Sequence, residues 1–181
     1  MASGITVKVE MREMFIDYLV SNYYSEKHQM VFASENNQFG LLIKNLLRKT
    51  PPGIKHEKKS GPHVEIMLPD YTLPYRDYNL IYNYISHSSE KLVMKWVRKQ
   101  FYFELHEFIT DMHLVGQDEI KASINLFCDQ KNIHPDHYKE NSLYKEYYRW
   151  RVNKRCEKTQ NISRAFAAVL SIISLMLVIF Y

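Results

Sequence analysis

The sequence predicts an α+β fold: a small three- or four-stranded sheet with helices, then a helical, helix-turn-helix-like C-terminal half and a hydrophobic C-terminal helix. Three observations lead there. Short stretches in the first half, such as Ile5-Thr6-Val7-Lys8-Val9, alternate apolar and polar residues with the period of a half-buried strand. From about residue 89 onward the apolar residues recur at helical spacing. The last 17 residues, 165–181, carry no charge, no Gly and no Pro. The composition fits a folded chain: of 181 residues, 46% are hydrophobic and 24% charged, with 5 Gly and 6 Pro. That excludes disordered, collagen-like and low-complexity classes. Two cysteines are too few for a disulfide scaffold.

Each element follows from its local pattern. After the first strand, Met14, Phe15, Tyr18 and Leu19 sit at helical spacing, which predicts a helix over residues 12–24. Residues 29–33 (QMVFA) read as a short strand. Phe39, Leu42, Ile43, Leu46 and Leu47 form one apolar stripe, so residues 38–49 read as a helix. A Pro/Gly-bearing loop over 50–62 leads into a strand at residues 63–68, closed by Pro69. Residues 78–85 (YNLIYNYI) are read as a fourth strand. Ser86 to Ser89 supply capping hydroxyls ahead of Glu90 for a long helix over 89–114, with Leu92, Trp96, Phe103 and Phe108 among its apolar positions and Gly116 as its stop. These readings divide the chain into an α+β layer over 1–88, a helical region over 89–160 and an apolar tail over 165–181.

The charge is unevenly placed. Residues 145–164 hold seven basic and two acidic side chains, a local net charge of +5, whereas the first 144 residues together carry −1. A second cluster, from Lys44 to Lys59, also reaches +5. Local basic character points to an anion-facing element rather than to general stickiness.

The tail, AFAAVLSIISLMLVIFY, is apolar around the whole helical circumference, and its two serines can bond back to helical carbonyls. As a helix it would reach about 25 Å, at the short end of a membrane span. Lys154, Arg155, Lys158 and Arg164 precede it, the flank expected on the cytoplasmic side. The expectation is a tail-anchored protein of the bacterial inner membrane with its body in the cytoplasm and no export signal. The alternative is a cytoplasmic protein whose C-terminal helix packs in its own core or in a homo-oligomer.

Residues 117–155 are the most informative stretch. Ile120, Ile124, Phe127 and Cys128 share one helix face, residues 132–136 read as a turn anchored by Ile133, and a second helix starts near Asn141 or Ser142 with Leu143 and Tyr147 inward. An apolar-faced helix, a turn and a second helix loaded with Arg, Lys, Tyr and Trp outline a helix-turn-helix unit, although the intervening segment is longer than usual. Lys145, Arg149, Arg151, Lys154 and Arg155 are the candidates for phosphate contacts on DNA, with Tyr148 and Trp150 beside them. Lys55, Lys58 and Lys59 form a candidate secondary patch. The rival reading places the same basic segment against anionic lipid, in a membrane-anchored scaffold protein, at about 1 kcal/mol per charge.

Two stretches, ITVKVEMREMFIDYLVSNYY with MVFASENNQFGLLIKNLL, and IKASINLFCDQKNIHPDHYKENSLYKEYYRWR, cover about half the chain. In pattern they resemble a loose group of small phage and mobile-element proteins of Bacteroidetes. The resemblance implies a replication-, regulation- or transfer-associated protein and carries no catalytic residue. The hydrophobic tail departs from that group.

Catalytic signatures are missing. Cys128, His134, His137 and Cys156 include a His-x-x-His but no Cys-x-x-Cys, so no zinc site is expected. His106, Glu107 and His113 lack the two-His metalloprotease spacing, and no phosphate loop or nucleophile elbow occurs. Asp111 with Glu107, and Asp118 with Glu119, read as solvated helix faces. The expectation is a non-enzymatic protein without metal or cofactor.

Overall fold

A computed structural model describes residues 5–51, 61–69, 81–116 and 119–156. Lys55, Lys58 and Lys59, Lys158, Arg164 and the apolar segment 165–181 lie outside the described residues. The elements run β1 (Thr6–Glu10), α1 (Glu13–Tyr23), β2 (Tyr24–Ser25), β3 (Met30–Phe32), α2 (Gln38–Leu46), β4 (Arg48–Lys49), β5 (His63–Met67), β6 (Tyr82–Tyr84), α3 (His87–Leu114), α4 (Ile120–Gln130) and a 3-10 turn, Pro135–His137. A further helix, α5, occupies residues 140–156. The fold is thus α+β, as expected. The chain divides into two compact units, 1–139 and 140–181. The long helix lies in the first of these units.

The first unit is built on a mixed sheet in the order β1-β5-β3-β2, with β4 and β6 forming a separate two-stranded ladder. β1 and β5 are antiparallel, pairing Val7 with Ile66 and Val9 with Val64. All four side chains are buried, while Lys8 lies directly opposite Glu65 on the other face and pairs with it at 2.6 Å. This is the alternation that marked β1 in the sequence. β3 runs parallel to β5, and α2 lies in the connection between them.

The helices close around Phe101. Its fully buried ring meets Phe15 and Tyr18 of α1 and Phe127 of α4 edge-on, at centroid distances of 5.6, 5.5 and 5.6 Å. Edge-to-face packing places ring hydrogens over the electron-rich faces and adds to the apolar burial. Above this cluster Tyr18 donates its hydroxyl to Glu104 Oε1 at 2.5 Å. Glu104 Oε2 pairs with Lys131 Nζ at 2.7 Å, and Lys131 donates to Asn22 Oδ1 at 2.9 Å. Burial, reinforced by the Glu104 carboxylate, pushes the Tyr18 hydroxyl far above its ordinary value, so it remains a protonated donor.

Termini of the helices follow local chemistry. Ser86 caps α3 by accepting from Ser89 N, and Gly116 turns the chain at φ +91° just beyond the helix end. α4 ends in a Schellman motif with Asn132 in the left-handed position at φ 51°. Ile133 N donates to Cys128 O at 2.9 Å and Asn132 N to Asp129 O at 3.0 Å. Ile133 is buried there, as its place in the turn suggests.

Several expectations are corrected. α2 stops at Leu46, because Leu47 leaves the helical backbone conformation at ψ 140° and its N–H closes the last turn onto Ile43 and Lys44. Arg48 and Lys49 then pair with β6 rather than continuing the helix. The two-residue β2 has no sequence signal of its own length. The helix-turn-helix outline does not hold: α4 and α5 are separated by residues 131–139, which contain their own 3-10 turn, and they belong to different compact units. The transmembrane expectation is also corrected. Among the described residues no helix is long and apolar enough to cross a membrane, and membrane anchoring is not carried into the functional reading.

Two substitutions test this packing. Phe101→Ala should lower unfolding free energy by about 3–5 kcal/mol in a denaturant titration. Gly40→Ala should also destabilise, by about 1–3 kcal/mol, because a Cβ at Gly40 would run into the backbone carbonyl of Ser34. A loss under 1 kcal/mol for either would contradict the packing described here.

Candidate nucleic-acid interface

Helix α5 carries all six of the sequence-predicted site residues, and the structure sorts them onto two faces. Successive residues turn by about 100°. Leu143, Tyr147, Trp150, Arg151 and Lys154 therefore share one side. Lys145, Tyr148, Arg149, Val152, Arg155 and Cys156 share the opposite sector. Burial agrees: Leu143 and Tyr147 are buried and Trp150 and Arg151 half-buried, whereas every member of the second set is exposed.

The inner side is aromatic and self-contained. Tyr147 and Trp150 pack at a centroid distance of 5.6 Å, and Lys154 Nζ sits 4.6 Å from the centre of the Trp150 ring. A cation over an indole face is held by the ring quadrupole. Lys154, itself exposed, lies over Trp150, and half-buried Arg151 sits at the border of the two sectors, three residues from Tyr148 and four from Arg155.

The outer side joins Lys145, Arg149 and Arg155 over about 15 Å of helix. Tyr148 lies among them, 56% exposed, and Val152 is 41% exposed one turn further on. Glu146 reaches Arg149 only at 3.9 Å, and the Arg149 side chain remains 74% exposed. An exposed pair of that length contributes little and leaves the guanidinium available to an external anion. Glu140, in the first turn, complements the positive end of the helix dipole. The helix starts at residue 140, so Asn141 and Ser142 lie inside its first turn rather than capping it.

A second cluster, in the first unit, joins parts of the chain more than 110 residues apart. Asp17 Oδ2, on the outer side of α1, accepts from His134 N at 3.0 Å and from His137 Nδ1 at 2.5 Å. His137 Nε2 faces Glu13 at 3.6 Å, and Asp136 pairs with His134 at the same distance. The hydrogen bond to Asp17, assisted by the charges of Asp17, Glu13 and Asp136, raises the pKa of His137. One carboxylate thereby pins the 3-10 turn to α1. No local spacing could reveal this pairing, because its members meet only through the fold.

The described residues include no group of three or more His, Cys, Asp or Glu arranged to hold a metal ion. Cys128 is buried and Cys156 exposed. Burial pushes the Cys128 thiol up to about 12, partly opposed by a hydrogen bond to Tyr138 and reinforced by Asp129, so it stays a protonated packing group. A cleft of about 390 Å³ lies where β1 enters α1, lined by residues that include Met11, Arg12, Pro62, Glu90, Lys91 and Met94. Its lining carries two acidic side chains, Glu10 and Glu90, with Arg12, Lys91 and His87.

The Asp17–His137 pair makes stability depend on pH. A raised histidine pKa in the folded state contributes stability fully below the ordinary value of 6.5. That contribution is lost as pH rises through the folded value. The stability of the wild-type chain relative to Asp17→Asn should therefore fall as pH is raised from below 6.5 into the alkaline range. Denaturant midpoints measured for both across that range check it, and parallel curves would contradict it.

A comparison of the chain with family models, curated proteins and solved structures returns no match.

Proposed function

We propose that this chain is a nucleic-acid-binding protein that meets the phosphodiester backbone with the outer face of α5. The observation that carries the reading is the coincidence of Lys145, Arg149 and Arg155 on one exposed sector, where the Arg149 side chain stays 74% exposed beside Glu146. Ammonium and guanidinium groups neutralise phosphates and release condensed counterions, and Arg also binds phosphate oxygens bidentately. A local charge of +5 on a chain otherwise near neutral concentrates the attraction in this region. The role is one of binding, with no reacting group assigned.

The test is binding of the full chain to labelled oligonucleotides, single-stranded and duplex, by fluorescence anisotropy at about 50 and about 200 mM salt. Three phosphate contacts predict a roughly tenfold or greater loss of affinity over that range. Replacing Lys145 and Arg149 together with Ala should weaken binding and flatten its salt dependence, whereas Lys154→Ala should change it much less. Undetectable binding to both oligonucleotides at the lower salt, or retention on anionic lipid vesicles in its place, would reject the reading.

A further inference from the structure

We infer that the outer face of α5 recognises single-stranded nucleic acid, with Tyr148 as a stacking platform for an unpaired base; this rests on the proposed backbone-binding role of the same face. The two aromatic neighbours of Tyr148 in the chain sequence of α5 are engaged. Tyr147 is buried and packs on Trp150, and Trp150 also holds Lys154. Tyr148 points the other way, 56% exposed. Lys145 precedes it by three residues, Arg149 follows it directly, and Arg155 lies two turns on, so cations flank the ring along the helix.

That arrangement suits an unpaired strand better than a duplex. In a duplex the base faces are covered by their neighbours in the stack, and a protein reads only base edges or backbone. An exposed tyrosine ring among phosphate-binding cations offers a flat surface that only an unstacked base can cover. Val152, one turn beyond Tyr148 and 41% exposed, extends the apolar floor beside the ring. A phosphate backbone has no use for that floor, but the face of a base does. Base stacking is tolerant of sequence, so little base specificity is expected.

The experiment compares the full chain, Tyr148→Leu and Tyr148→Phe on a single-stranded oligothymidylate of about 16 nucleotides and on a mixed-sequence duplex of the same length. The single strand should bind more tightly than the duplex. Tyr148→Leu should weaken single-strand binding roughly five- to hundredfold and leave duplex binding within about twofold, because backbone contacts persist. Tyr148→Phe, which keeps a flat ring, should retain single-strand affinity. Duplex preference, or equal losses on both ligands with Tyr148→Leu, would overturn the stacking inference and leave backbone binding intact. Failure of the wild-type chain to bind either ligand would overturn the backbone reading together with it.

Discussion

The hydroxyl of Tyr18 is the constraint on which the first unit depends. Its ring is fully buried against Phe101, so the hydroxyl has to find an acceptor inside the protein or be left desolvated at a cost of about 1–3 kcal/mol. Glu104 supplies that acceptor, and Glu104 is balanced in turn by Lys131. A single residue of α1 thus fixes the register of α3 and the position of the segment that ends α4. A buried network of this kind is favourable only when every member is satisfied. Here the second oxygen of Glu104 and the ammonium of Lys131 both have partners, and Lys131 reaches back to Asn22 on α1. The circuit begins and ends on the same helix.

This arrangement has a consequence for the end of the first unit. Lys131 is the C-cap of α4, and Asn132 and Ile133 complete its Schellman turn. Asp17, one residue before Tyr18, then holds the following turn through His134 and His137. Two neighbouring residues of α1 therefore secure residues 131–137 by different means, Tyr18 through Glu104 and its ion pair with Lys131, and Asp17 through a half-buried carboxylate–imidazole pair. The second responds to pH, because its strength depends on a proton.

Much of this was legible in the sequence, and the limits have physical causes. Period-2 alternation identified β1, which buries one face only. Helical spacing identified α1 and α4, and the buried positions Ile124, Phe127 and Cys128 are those the spacing selects; in α3 the buried stripe is Val93, Val97, Phe101, Leu105 and Ile109, whereas Leu92 and Phe103 are exposed. Ser86 and Gly116 marked the ends of α3 because capping is local chemistry. Contacts such as Tyr18 with Glu104 and Asp17 with His137 were not legible, because they join residues separated by 86 and 120 positions. The end of α2 was misplaced because the stripe formed by Phe39, Ile43 and Leu47 continues one residue past the helix: Leu47 is buried in an extended conformation. In α5 the sequence identified the right helix but merged its faces. Counting cations placed Arg151 and Lys154 beside Lys145 and Arg149, whereas the turn of the helix sends Lys154 to the side of Trp150 and Arg151 to the border of the two sectors. The helix-turn-helix outline failed for a related reason. It depends on how two helices are joined, and residues 131–139 form an anchored turn instead of a short corner.

The account makes one face of one helix the meeting place with nucleic acid, and the most direct measurement is to locate that meeting chemically. A thiouridine-bearing single strand, photocrosslinked to the full chain and mapped by mass spectrometry, should place its adducts between residues 145 and 155, with Tyr148 as the principal site. Adducts confined to residues 1–139, or to the Trp150 side of α5, would contradict it.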